Sequence, residues 1–133
     1  MIVFVDSNVP MYVAGRDHAL REPARRMLAR AQAGEIEICT STEVLQEILY
    51  RYAALKRLDL AASVYDLFVQ LCPTVLPVAL ADTDRAKSLL TSTPGLSARD
   101  AVHAAVMLNH DIARIATFDA GFDRVAGVER VAL

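Results

Sequence analysis

The sequence predicts an α/β fold: one domain over residues 1–133, built on a mostly parallel sheet of four or five strands with helices on both faces. Two observations carry this expectation. Short apolar runs alternate along the chain with longer stretches of helical periodicity, the pattern left by strands joined through crossover helices. The runs are also apolar at consecutive positions, as in Ile2-Val3-Phe4-Val5, which suits strands buried on both sides.

Taken in order, residues 2–6 read as a buried strand, and Asp6-Ser7-Asn8 ahead of Pro10 reads as a capped helix start. Helical spacing of Ala24, Leu28 and Ala31 predicts a helix over 18–33, which Gly34 stops. Residues 35–40 form a short strand with Ile36 and Ile38 on one side. Ser41 or Thr42 caps a helix to about residue 56, and a further helix covers 59–71. An apolar strand sits among prolines at 75–78, followed by a helix capped by Asp82 that runs to about residue 90. Thr91-Ser92-Thr93-Pro94-Gly95 is the clearest loop. A helix over 98–110, a strand over 112–117 and a last strand near 128–132 complete the chain. No internal repeat, low-complexity segment or linker interrupts it.

A chain of 133 residues can bury about two thirds of the surface it exposes when unfolded. Its 54% hydrophobic content and mean hydropathy of +0.30 are high for a soluble domain of this size, which implies apolar surface covered by a partner or by a second copy in a homodimer. The most apolar stretch, 58–81, is broken by Asp59, Asp66, Gln70, Pro73 and Pro77, so no membrane span is expected. Asp6 interrupts the apolar start and no basic segment precedes it, so a secretory leader is not expected and the location implied is cytoplasmic. Cys39 and Cys72 stand apart from any Cys or His pair and read as buried thiols.

Net charge is −2, which on average argues against a nucleic-acid binder. That average includes a set of acids that a divalent cation would neutralise, leaving the remaining surface closer to balance. Arginines bunch at Arg21, Arg25, Arg26 and Arg30 near one helical face, and again with Lys56 at Arg51 and Arg57; each group is either a solvated face or a strip for phosphates.

The acids themselves are the main functional signal. Asp6 and Asp119 follow apolar runs and fall at strand carboxyl ends, the edge where open α/β sheets build sites. Glu47 and Asp100 lie in apolar helical patterns, where an ionised carboxylate is costly unless a cation or donor meets it. A structural alternative stands beside each: Asp6 as a helix cap, Asp100 as a first-turn cap, Asp119 and Asp123 as turn residues. Glu43 shares a helical face with Glu47 and suits a dipole or capping role, leaving Glu47, among Leu45, Ile48 and Leu49, as the inward acid. His103 reads as a partly buried histidine donating a hydrogen bond to a neighbouring acid, and His18 and His110 as structural residues near helix ends. No glycine-rich phosphate loop is present, so nucleotide cofactors are not indicated.

Val5-Asp6-Ser7-Asn8, the helix Glu43-Val44-Leu45-Gln46-Glu47-Ile48-Leu49, the segment from Ser97 through Asp100 and His103 to Ala105, and the run Ala116-Thr117-Phe118-Asp119-Ala120-Gly121-Phe122-Asp123 together resemble the ordered motifs of PIN-domain ribonucleases, and within them VapC toxins of toxin–antitoxin modules. The resemblance covers essentially the full length and implies a three-layer PIN-like fold. It implies metal binding by Asp6, Glu47, Asp100 and Asp119, with Ser7 or Asn8 and Thr117 as polar support and Asp123 as an optional acid behind them. It also implies an RNA substrate, products ending in 5′-phosphate and 3′-hydroxyl, and a VapB-type antitoxin whose C-terminal segment threads over the site with an Arg or Lys among the carboxylates.

Hard oxygen ligands select Mg²⁺ or Mn²⁺. Asp6 and Asp100 are expected on the primary ion, with Glu47 and Asp119 orienting water or completing the shell. Crowded carboxylates repel, so one should hold its proton more tightly without metal, and metal binding should weaken as pH falls. The expected activity is a metal-dependent endoribonuclease; the alternative is a catalytically silent PIN-like scaffold that binds RNA or protein. A phosphoacceptor receiver domain would need an acidic pair after the first strand and a late lysine, and none follows Lys87.

Overall fold

Val3, Phe4 and Val5 are all fully buried at consecutive positions, as a strand covered on both faces requires. The strand they form, β1 (Ile2–Val5), is the middle of the sheet in the computed structural model, which describes residues 1–133. The chain continues through α1 (Asn8–Ala14), α2 (Arg21–Gln32), β2 (Glu37–Ser41), α3 (Thr42–Ala54), α4 (Leu58–Leu71), β3 (Thr74–Leu76), α5 (Leu80–Ser92), α6 (Ala98–Asn109), β4 (Arg114–Ala116), a 3-10 turn at Ala120–Arg124, and β5 (Glu129–Arg130).

The five strands pair in the order β3-β2-β1-β4-β5, and every pairing is parallel. Parallel crossovers are right-handed. The helices α1 to α4, on the connections outward from β1 to β2 and β3, therefore cover one face, and α5 and α6, on the return to β4, cover the other. The chain reverses its direction of travel across the sheet between β1 and β4. At such a switch point the loops leaving two neighbouring strands part to opposite faces, which opens a crevice at their carboxyl ends.

Local chemistry fixes the helix ends. Ser41 caps α3 by accepting the Val44 N–H at 3.3 Å, and Ser97 caps α6 by accepting the Asp100 N–H at 3.1 Å. Gly34, with φ of +76°, takes the left-handed turn that ends the α2 segment. Asp82 is not the cap of α5: the helix begins two residues earlier, and the buried Asp82 carboxylate reaches back to the Ala79 N–H at 2.8 Å and accepts from Asn109 Nδ2 at 2.8 Å, tying α5 to α6.

Other expectations shift by a few residues. The second helix begins at Arg21 rather than 18, because the Leu20 N–H turns back to His18 Nδ1 at 3.1 Å. The helix start after Asp6 has no side-chain cap. Thr91 and Ser92 belong to α5, so the loop opens only at Thr93. The last two strands shorten to Arg114–Ala116 and Glu129–Arg130.

The core contains Phe4, Phe68 and Phe122 with Ile38, Ile48 and Ile115 among its largest fully buried side chains. Cys39 and Cys72 are buried free thiols, and burial pushes them up to about 11 and about 12, so neither is a reactive thiolate at neutral pH. The apolar excess surfaces instead as exposed leucines, Leu55, Leu58, Leu67 and Leu80. No helix is long and apolar enough to cross a membrane.

Candidate metal centre

Asp6 ends β1, the central strand, and Thr117 and Asp119 follow its neighbour β4, so these residues meet at the switch point although more than a hundred positions apart. The Asp6 backbone N–H continues the strand pairing to the Ala116 carbonyl at 3.0 Å. Its carboxylate is held on both oxygens. Oδ1 accepts the Ser7 N–H at 2.7 Å and, at 3.4 Å, the Ser7 hydroxyl; Oδ2 accepts the Thr117 hydroxyl at 2.8 Å and Asn8 Nδ2 at 3.4 Å. Thr117 Oγ1 in turn accepts from Asn8 Nδ2 at 3.1 Å and from the Asp119 N–H at 3.0 Å. One hydroxyl thus sets the spacing of the two strand-end acids.

Two helices supply the remaining acids. Glu47 lies on the inward face of α3, 7% exposed, with Oε1 at 2.6 Å from His103 Nε2 and Oε2 at 3.0 Å from Arg99 Nε. Asp100 sits in the first turn of α6. Because Ser97 provides the cap, the Asp100 carboxylate is free to face Asp119 beside Gly121. Asp119 also accepts the Gly121 N–H at 2.8 Å, so the turn reading and the site reading of this residue both hold.

These four acids line one open cleft of about 710 Å³ together with Ser7, Asn8, Glu43, Arg51 and Arg99. Glu43, one turn before Glu47, shares the cleft wall. Asp123 does not reach it: Arg130 clamps that carboxylate through two bonds of 2.8 Å at the surface. His103 is fully buried rather than partly buried, and its acidic partner is Glu47, with Asp6 Oδ1 also at 3.7 Å. Its Nδ1 has no partner and its ring lies near Phe4 and Phe122. The Nε2–H tautomer therefore leaves a lone pair, rather than an orphaned donor, against the aromatic core. Arg99 was not singled out from sequence; its position beside Asp100 in a helix first turn was the available signal.

Electrostatics show the strain of crowding like charges. Burial is the largest influence on Asp6 and raises its carboxyl, aided by Glu47 and offset by His103, Thr117 and Ser7. Asp100 is pushed up to about 7, first by burial and then by its hydrogen bond with Asp119 and the charges of Asp119 and Asp6. Burial works against the charged form of His103, yet its bond to Glu47 and the charges of Asp6, Glu47 and Asp100 raise it overall.

The donor set fits a divalent cation. Ligand atoms of Asp6, Glu47 and His103 lie within 4.8 Å of one another, and the oxygens of Asp100 and Asp119 adjoin them in the same cleft. A cation placed among these oxygens would offset the burial and the neighbouring carboxylate charges that raise Asp100. Oxygen donors from several carboxylates suit hard ions.

Residues 3–128 match the PIN domain model. Ribonuclease VapC13 of Mycobacterium tuberculosis is 42% identical over 131 residues, covering 98% of this chain and 100% of that protein. Ribonuclease VapC23 of the same species is 40% identical over 118 residues, 89% of this chain and 93% of that one. Two solved structures share the fold. VapC20 of M. tuberculosis, a toxin that cleaves the sarcin-ricin loop, superposes with a TM-score of 0.73 at 22% identity, over 90% of this chain and 91% of its own. VapBC2 from Rickettsia felis, bound to a DNA fragment from its promoter, gives 0.74 at 18% identity, over 99% and 100%.

Proposed function

The chain belongs to the PIN-domain family, and on that premise we propose that it is a Mg²⁺- or Mn²⁺-dependent endoribonuclease that hydrolyses RNA phosphodiester bonds as the toxin of a toxin–antitoxin pair. The observation that carries this reading is the convergence of Asp6, Glu47, Asp100 and Asp119 on one cleft at the switch point of the sheet. Relatives named as ribonucleases, similar over the whole chain, support the same activity.

Asp6 and Asp100 would hold the principal cation, with Glu47 and Asp119 orienting water or supplying further oxygens. When bound, such a cation neutralises charge building on the phosphate and makes water a stronger nucleophile at neutral pH. The protein's own task is positioning. Thr117, Ser7 and Asn8 fix both oxygens of Asp6, while His103 and Arg99 fix those of Glu47, so the carboxylates are ordered before substrate arrives. Asp100 is pushed up to about 7, and a cation held beside it would favour its ionised form. Water performs the attack, so the ribose 2′-hydroxyl is not consumed and the products carry 5′-phosphate and 3′-hydroxyl ends.

A VapB-type antitoxin is the proposed protein partner: a basic side chain from it would find the same carboxylates the metal uses. Exposed leucines on α3 to α5 and their connections support a second copy of the chain as a further partner. The decisive experiment incubates purified protein with a structured RNA and Mn²⁺. Cleavage that stops with EDTA and with Asp6→Asn is the expected result, whereas intact RNA under every metal condition ends the nuclease reading.

A further inference from the structure

The cleft wall supplied by α3 is a single row of side chains. Glu43, Glu47 and Arg51 follow at four-residue intervals, and Tyr50, three positions after Glu47, stands beside Arg51 at the rim. Glu47 is buried at the inner end, whereas Tyr50 keeps 70% of its surface exposed and is the one exposed aromatic side chain in the protein. Arg99, in the first turn of α6, lines the same cleft with its side chain 66% exposed.

Both arginines have donors to spare. Arg51 makes no ion pair, and Arg99 spends only part of its five-donor guanidinium on Glu47. Two arginines of α2 differ, since Arg25 pairs with Glu22 and Arg30 with Glu35, and none of the α2 arginines lines the acidic cleft. Polyanion approaching a wall that carries five carboxylates needs cations at the point of entry, and the rim is where this chain puts them. An exposed aromatic face in a cleft that also presents cations offers what an unpaired base can use and a base inside a duplex cannot.

We propose that Tyr50, which lines the same cleft as Arg51 and Arg99, is the platform on which an unpaired base of the RNA substrate stacks while the arginines hold the adjoining phosphates. The proposal rests on the nuclease reading and adds to it the residue that selects looped or single-stranded RNA.

The chain contains no tryptophan, so Tyr50→Trp installs a sole fluorescent reporter at the rim. Placed in an Asp100→Asn background, which removes cleavage and part of the carboxylate repulsion, it is titrated with a short oligouridylate and with an RNA duplex of matched length in Mg²⁺. Saturable quenching by the single strand and not by the duplex is expected. With labelled oligouridylate in the same background, Tyr50→Ala should weaken binding about tenfold and Tyr50→Phe less than about twofold. Arg51→Ala should lower the slope of log Kd against log salt by about 0.7, the loss of one phosphate contact to a single strand.

Equal quenching by duplex, no quenching, or wild-type binding by Tyr50→Ala overturns the proposal. An emission shift that follows protein concentration rather than RNA also overturns it and assigns the rim to a second copy. If the wild-type protein cuts RNA while the reporter stays silent, the platform fails and the nuclease reading stands. If the reporter is quenched by the single strand while the wild-type chain cuts nothing, the platform stands and the nuclease reading falls.

Discussion

His103 Nε2 lies 2.6 Å from Glu47 Oε1 across a gap of 56 residues in sequence, and both side chains are buried. The contact joins α6 to α3 beneath the acidic cleft. Removing the imidazole leaves a buried carboxylate facing a void, so His103→Ala should lower stability by about 3 kcal/mol. Urea denaturation reads this as a lower midpoint at an unchanged slope. An unaltered midpoint would show that Arg99 alone suffices to hold Glu47.

Asp100 makes metal-free stability depend on pH. Its carboxyl binds a proton more tightly in the folded chain, at about 7, than at the ordinary value of 3.8. Protonation therefore favours the fold, and without metal stability should fall as pH rises from about 4 through 7, by at most roughly 1.4 kcal/mol per pH unit. Metal binding runs the opposite way, strengthening as pH rises toward 7 because the ion displaces that proton. Denaturation and metal titrations across this range check both slopes.

Asp100→Asn separates stability from activity. The amide keeps the shape of the protonated acid and cannot ionise, so at pH 8 in EDTA the variant should outlast the wild type in urea while its cleavage is abolished. A less stable variant at pH 8 would mean the carboxylate is not under strain.

Gly121 guards the spacing of Asp100 and Asp119. A β-carbon built there would stand 3.1 Å from Asp119 Oδ1 and 3.4 Å from Asp100 Oδ2. Gly121→Ala should leave the fold intact and reduce metal affinity about tenfold, as displacement of a supporting contact does. Calorimetric titration with Mn²⁺ measures it.

Asp82 serves as the contrasting case. It is buried and accepts from Ala79 and Asn109, far from the cleft wall. Asp82→Ala should cost about 2 kcal/mol by leaving these donors unmet, while the cleavage rate measured below the melting range stays at the wild-type value.

Elements with strong local signals were legible in the sequence. β1 is apolar at consecutive positions, and α3 begins at Ser41, one of its two candidate caps, whereas α6 is capped by Ser97 and not by Asp100. The four cleft acids were legible because each is an acid where burial or a strand end makes one expensive. The partner of His103 was not, since spacing within α6 points to Asp100, and only the docking of α3 against α6 brings Glu47 to the ring. The place of Asp123, left open between an optional outer acid and a turn residue, depends on a similar distant contact. Its neighbour in sequence is the site, but Arg130 on β5 folds back and takes its carboxylate. The cap of α5 lies three residues before the one the sequence indicates, because an acid at the third helical position reaches backward as readily as an acid before the helix reaches forward.

β1 pairs with β4 only after the intervening helices have been made, and the cleft needs Asp119 beside Asp6. At ordinary rates of synthesis about ten seconds separate the emergence of those two residues from the ribosome. Throughout that interval the nascent polypeptide carries only half of the carboxylate set, so the cleft exists only once translation is nearly over.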